Sequence, residues 1–181
     1  CVRLVKGDFD NKTEYKMSPV EQAGKYQDHG FKYLHIVDLD GALTGETVNL
    51  NIIQEIVKKF DLKIEVGGGI RNIESIKKYT DSGVEKVILG SAAIKDKNFL
   101  KEACKKFPNQ IALGLDAKDG YLSVSGWKEN SNQLTLDFLK EVNGFGTSRL
   151  IYTDINQDGM KHGPNFEETS KVADTSNCPV I

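Results

Sequence analysis

Residues 34–49 read LHIVDLDGALTGETVN, and residues 150–165 read LIYTDINQDGMKHGPN. Both begin with an apolar run, reach an aspartate, and pass into a glycine-punctuated polar loop that ends at an asparagine. Asp38 falls opposite Asp154, Gly41 opposite Gly159, Gly45 opposite Gly163 and Asn49 opposite Asn165. An internal repeat of about 116 residues marks two copies of one larger unit, and repeats of this kind decide architecture before individual elements do.

Outward from this pair, apolar and β-branched runs at residues 2–6, 33–39, 62–66, 86–89, 111–115 and 149–155 predict strands. The segments between them read as helices. Ser18-Pro19-Val20-Glu21 is a capping box with proline at the first helical position, and His29-Gly30 closes that helix. Further helices are expected over 49–59, 72–82, 96–107, 133–143 and 166–174, several opened by an Asn or Asp able to cap free amides. Strict alternation of strand and helix implies a parallel sheet with helical crossovers. Continuously apolar strands (Leu34, Ile36, Val37; Val87, Ile88, Leu89) fit a sheet covered on both faces.

Two repeats of this length would each hold four βα units, half of an eight-stranded barrel. The expected fold class is therefore α/β, a (β/α)8 barrel, with residues 1–181 in one domain. The repeat also predicts what is missing. The counterpart of Gly67-Gly68-Gly69 would fall at about position 183, and that of Asp116 at about −3. The barrel is thus expected to be incomplete, without its first strand and most of its last two units, as part of a longer protein.

The 181 residues carry 24 Lys+Arg against 26 Asp+Glu, a formal charge of −2. That balance lacks the basic excess a general nucleic-acid binder needs. No apolar run approaches the roughly 18 residues of a membrane helix. Three cysteines, Cys1, Cys104 and Cys178, have no CxxC spacing and fit a reducing cytoplasm. No His/Cys/Glu group has metal-ligand spacing, so no metal or other cofactor is expected.

In a (β/α)8 barrel, polar residues at the C-terminal strand ends are the candidates for chemistry. Val66-Gly67-Gly68-Gly69-Ile70-Arg71 places glycines between a strand and a helix, where backbone N–H groups can approach an anion; a tight βα turn is the plainer reading. Gly90-Ser91-Ala92-Ala93 ends the next strand in the same way, and together the two loops suggest one phosphate site. The spacing matches neither a P-loop nor GxGxxG. Asp38 and Asp40 read either as substrate-orienting carboxylates or as cap and turn residues. His35, within the same strand, reads as a satisfied core histidine.

Asp116 follows the run 111–115 directly and should project at the barrel mouth. Beyond it, Asp119-Gly120 reads as the turn of a hairpin leading to Gly126-Trp127. Trp127 offers a flat surface for a heterocycle, or else packs as a lid on the rim. Thr153 and Asp154 stand at a strand end, with Asp158 on the loop above. A loop carboxylic acid shielded by substrate would have a raised pKa and act as a general acid, while Asp158-Gly159 is alternatively a turn pair. His162 reads as solvated.

Taken together, VRLVKGD (2–8), LHIVDLDGA (34–42), VGGGIR (66–71), ILGSAA (88–93), GLDAKDG (114–120), GW (126–127) and YTDINQDG (152–159) resemble the HisA family of histidine biosynthesis, the phosphoribosylformimino-5-aminoimidazole carboxamide ribotide isomerases. The resemblance implies a (β/α)8 barrel with two phosphate sites, one per half, and an Amadori rearrangement of the aminoaldose ProFAR to the aminoketose PRFAR. By resemblance Asp158 matches the general acid, and Asp116 and Thr153 match supporting polar residues. Arg3 and Trp127 match substrate contacts; Gly68, Gly69, Gly90 and Ser91 match the first phosphate site, with Arg71 beside it. The base is implied on a first strand preceding these residues, and Pro179-Val180-Ile181 resembles the start of strand seven. The implied partner is a small bisphosphorylated substrate, with no nucleic acid or membrane, and the full-length protein is expected to be monomeric.

Three alternatives stay open. The sister cyclase HisF shares the glycine loops, although Asp-Leu-Asp-Gly-Ala, Arg71 and Gly90-Ser91 look more like the isomerase. A bifunctional isomerase would also act on the tryptophan-pathway analogue. A phosphate-binding half-barrel would bind without turnover.

Overall fold

A computed structural model describes residues 1–5 and 7–181. In chain order the elements are β1 (Val2–Val5), β2 (Asp8–Glu14), α1 (Pro19–Asp28), β3 (Tyr33–Val37), α2 (Leu39–Thr44), α3 (Leu50–Lys59), β4 (Lys63–Gly67), α4 (Ile73–Asp81), β5 (Lys86–Leu89), α5 (Ser91–Lys95), α6 (Lys97–Lys106), β6 (Ile111–Lys118), β7 (Tyr121–Val124), β8 (Glu129–Leu134), α7 (Thr135–Val142), β9 (Arg149–Asp154) and α8 (Phe166–Thr175).

The helix starts follow from side chains that satisfy the first free amides. Ser18 and Glu21 close the capping box of α1, with the Glu21 amide donating to Ser18 Oγ at 3.2 Å and the Ser18 amide to Glu21 Oε2 at 2.9 Å. Asn72 accepts from the Ser75 amide at 2.8 Å to open α4, and Asp96 accepts from the Asn98 and Phe99 amides to open α6.

The parallel strands lie side by side in the order in which the chain makes them: β3 pairs with β4, β4 with β5, β5 with β6 and β6 with β9. Val180 then forms a parallel bridge to Leu150 of β9, the position at which a further strand was expected to start. The helices bury their apolar faces on this sheet. Val66, Val87, Leu89, Leu113 and Leu115 from the strands meet Ile56, Ile76, Tyr79, Leu100 and Phe138 from the helices, all essentially buried. Full burial of such side chains contributes roughly 1.5–3 kcal/mol each.

Several expectations need correction. The strand expected over 2–6 does not join the parallel sheet: β1 pairs antiparallel with β2 in a separate two-stranded hairpin, and position 6 lies outside the described residues. Strand–helix alternation therefore begins at β3. Gln133 and Leu134, expected in a helix, finish strand β8, which pairs antiparallel with β7. The short helices α2 and α5 sit in loops too brief to show a 3.6-residue period. The strands are not all covered on both faces, since Tyr33 and Val37 of β3 are 63% and 49% exposed. His35 is not a core residue either. It is exposed and pairs with Glu65 at 2.9 Å, and Glu65 in turn meets Arg149 at 3.3 Å.

Among the described residues, no helix is long and apolar enough to cross a membrane.

Candidate active site at the C-terminal strand ends

The register of β6 on β9 sets Asp116 beside Thr153 and Ala117 beside Asp154, so both strands deliver polar residues to one end of the sheet. Beyond Lys118 the chain reverses at Asp119-Gly120, whose φ values of +53° and +80° make the expected hairpin turn into β7. After β7, Ser125, Gly126 and Trp127 all take positive φ, +57°, +66° and +69°. A bulky residue there is strained, and such strain concentrates at functional sites.

That bend lays the Trp127 indole across the β1–β2 turn. A Cβ built on Gly7 would stand 2.7 Å from the ring, so the absence of a side chain lets the hairpin come this close. On its other flank the hairpin is tied by Arg3, whose guanidinium donates to the carbonyl of Gly159 at 2.9 Å. The β1–β2 hairpin thus bridges the loop after β7 and the loop after β9. The sequence singled out Arg3 and Trp127 but not the hairpin that carries Arg3 and meets the Trp127 ring.

Asp116 lies beneath this canopy. Burial pushes its carboxyl above the ordinary carboxylate range, the Trp127 indole and Thr153 hydroxyl act against that shift, and the nearby Asp158 carboxylate adds to it. Asp158 is half-buried on the turn above, with its amide and that of Gln157 both donating to the Asp154 carbonyl at 3.0 Å. Asp116, Trp127, Thr153 and Asp158 therefore form one group. The carboxyl that the surroundings visibly raise is Asp116.

The glycine loops occupy the same end, on β4 and β5. Gly68 and Gly69 have φ of +106° and +72°, and a Cβ on either would run into backbone, 2.2 Å from the Asp38 carbonyl oxygen or 2.0 Å from that of Gly41. Glycine is required here first for packing two βα loops together. Gly90 caps the short helix α5, and Ser91 Oγ accepts the Ser125 amide at 2.9 Å, joining the β5 loop to the end of β7. Arg71 donates to the Ala42 carbonyl at 3.1 Å and lies against Gly45, so it braces α2.

Asp38 takes the cap reading. It is 2% exposed and accepts from the Gly41 amide at 2.9 Å, the Asn49 amide at 3.0 Å and the Asn49 side chain at 2.7 Å. Asp40 is exposed and accepts from Asn49 Nδ2 at 2.9 Å. His162 is exposed, as expected. Among the described residues, no group of three or more His, Cys, Asp or Glu side chains could hold a metal ion.

A cavity of about 400 Å³ lies at the opposite, N-terminal end of the strands, lined by His35, Glu65, Lys86 and Arg149 among others. A smaller one of about 170 Å³ adjoins Asp119, Tyr152, Asp154 and Glu168. Burial, with Asp154 and Glu168 nearby, pushes the Tyr152 phenol up to about 12.

Residues 1–181 match the histidine biosynthesis protein family along their whole length. This chain belongs to that family. Within it, a Pelagibacter ubique (strain HTCC1062) protein named 1-(5-phosphoribosyl)-5-((5-phosphoribosylamino)methylideneamino)imidazole-4-carboxamide isomerase is 83% identical over 181 residues, 100% of this chain and 76% of that protein. Proteins of the same name from Clostridium novyi (strain NT) and Oceanobacillus iheyensis are 46% and 45% identical, over 99% and 100% of the chain and 76% and 75% of their own lengths. The resemblance to the HisA isomerases is thus one of family membership, and its motifs stand together at one end of the sheet.

Proposed function

We propose that this chain is the greater part of an isomerase that converts the aminoaldose ProFAR to the aminoketose PRFAR in histidine biosynthesis. The single observation that carries the residue assignment is the convergence of Asp116, Trp127, Thr153 and Asp158 at the C-terminal ends of β6 and β9. Relatives that this chain matches over about three quarters of their length bear the isomerase name. Parallel strands laid down in sequence order support a (β/α)8 barrel of which residues 1–181 are one partial domain. A bacterial biosynthetic enzyme of this kind works in the cytoplasm on a small bisphosphorylated substrate.

In this reading Asp158 gives its proton to the furanose ring oxygen. The anomeric C–O bond breaks as the nitrogen lone pair forms C=N, opening the ring to a Schiff base. A base then takes the C2 proton, the electron pair of that C–H bond moves to reduce C=N, and the resulting enol tautomerises to the ketone. Nothing is oxidised or reduced overall, which agrees with a site that needs no cofactor. Asp116 and Thr153 hold the sugar beside the acid, and Trp127 stacks on the heterocycle. Gly68, Gly69, Gly90, Ser91 and Arg71 shape the loops that hold one phosphate. The base has no assigned residue among 1–181.

Two carboxyl groups close together at one end of the sheet, Asp116 and Asp158, suit a route that moves protons to and from a sugar. The test is Asp158→Asn in the full-length protein, assayed for ProFAR turnover. The expected loss in kcat is about 10²–10⁴-fold; turnover at the full rate would remove Asp158 from the mechanism.

A further inference from the structure

The two halves of the internal repeat share a hydrogen bond that neither motif reading requires. Asn49 Nδ2 donates to Asp38 Oδ1 at 2.7 Å, and Asn165 Nδ2 donates to Asp154 Oδ2 at 2.7 Å, each across eleven residues. Both bonds close the base of a strand-to-helix loop. In the first half the loop between them coils into α2; in the second it is the turn that carries Asp158.

Asp154 is the hub of that second loop. Its Oδ1 accepts the Asn156 amide at 2.9 Å, its carbonyl accepts the Gln157 and Asp158 amides, and its Oδ2 is held by Asn165. Asn156 reaches on to Asp119 Oδ1 at 2.9 Å, fastening the turn to the β6–β7 hairpin. Asn165 also caps α8, its Oδ1 accepting the Glu168 amide at 3.2 Å. Its side chain thus pins the end of β9 to the start of α8, with Asp158 on the segment between.

We propose that Asn165 is a positioning residue for Asp158, fixing through Asp154 the turn from which the acid addresses substrate. The inference rests on the reading of Asp158 as the acid. Asn165 acts through its donated hydrogen bond, and its capping of α8 is a separate matter.

Chemistry separates the two roles. Asn165→Asp keeps an excellent cap acceptor but turns the donor into a second carboxylate facing Asp154. Asn165→Ser keeps a cap and stays neutral, with a hydroxyl too short to span to Asp154. The reciprocal pair Asp154→Asn with Asn165→Asp restores one amide donor facing one carboxylate, and the amide oxygen introduced at position 154 still accepts the Asn156 amide. A misplaced catalytic group costs rate more than affinity.

The experiment measures kcat, KM and the pH profile of ProFAR turnover for these variants in the full-length protein, beside Asp158→Asn. Asn165→Asp and Asn165→Ser should each lose about tenfold or more in kcat with KM within about twofold. The reciprocal pair should recover most of that loss. If Asp158→Asn is inactive while both Asn165 variants keep the kcat and pH profile of the parent, the positioning role is wrong and the acid assignment stands. Loss in Asn165→Asp without recovery in the reciprocal pair equally overturns it. If Asp158→Asn is fully active, the reading beneath it has failed instead.

Discussion

The Trp127 indole lies across Gly7, close enough that a Cβ on Gly7 would stand 2.7 Å from the ring. The contact joins the β1–β2 hairpin to the loop after β7, and it depends on a residue without a side chain at φ +73°. Gly7→Ala should lift the indole off the hairpin. Trp127 is the one tryptophan in the chain, so tryptophan fluorescence reads this side chain without interference from another. The expected result is a red-shifted emission and greater quenching by acrylamide; an unchanged spectrum would show that the hairpin is held by other means.

Gly69→Ala should be the costlier of two glycine substitutions that look alike on paper. At Gly69 the new methyl meets the Gly41 carbonyl at 2.0 Å and φ is +72°, whereas Gly144 has open space around it and no positive φ. Urea melts should show Gly69→Ala destabilised by more than about 1 kcal/mol and Gly144→Ala neutral or stabilised by roughly 0.4–1 kcal/mol. Equal effects at the two sites would contradict the loop packing described above.

Asp116 makes stability depend on pH in a stated direction. Its folded-state pKa is raised above the ordinary value of 3.8, chiefly by burial, so the folded form holds its proton more tightly than the unfolded form. The benefit is full below the ordinary value and is lost as pH rises through the folded value. Asp116→Asn removes that loss. The variant should be more stable than the parent at pH 7, with the difference shrinking as the solution is acidified towards the ordinary value. A difference that grows on acidification would mean that the carboxyl is stabilised, not penalised, by its surroundings.

Asp38→Ala should act on folding. It strands the Gly41 and Asn49 amides beside a buried site, at about 2–4 kcal/mol. Equilibrium unfolding measures this; a loss below about 0.5 kcal/mol would return Asp38 to the list of substrate-facing candidates.

Much of this was legible in the residues. Capping pairs such as Ser18 with Glu21, and Asn72 before α4, announce helix starts through local chemistry; the runs Val87–Leu89 of β5 and Ile111–Leu115 of β6 announce strands through unbroken apolar residues, and β4 through alternation. The repeat located both strand ends that the structure joins through asparagine. What was hidden is tertiary. Strand β2, exposed at nearly every position, has no apolar alternation to read. Whether Asp38 faces ligand or caps a helix depends on where Asn49 returns, and the roles of Arg71 and Ser91 as braces depend on Ala42 and Ser125, far away in the chain. Propensity and spacing carry no information on such meetings.

The bond between Arg3 and Gly159 spans 156 positions of sequence. Loop-closure entropy makes contacts of such range late to form, because the intervening chain must already be organised before they repay their cost. The hairpin is made from neighbouring residues, and it docks in two places, on Trp127 after β7 and on Gly159 after β9. The mouth of the site is therefore complete only when both of these distant loops are in place. A ribosome must have released the chain beyond Gly159 before Asp158 and the hairpin above it can exist together, so a partly synthesised copy lacks this grouping even where its sheet has already formed.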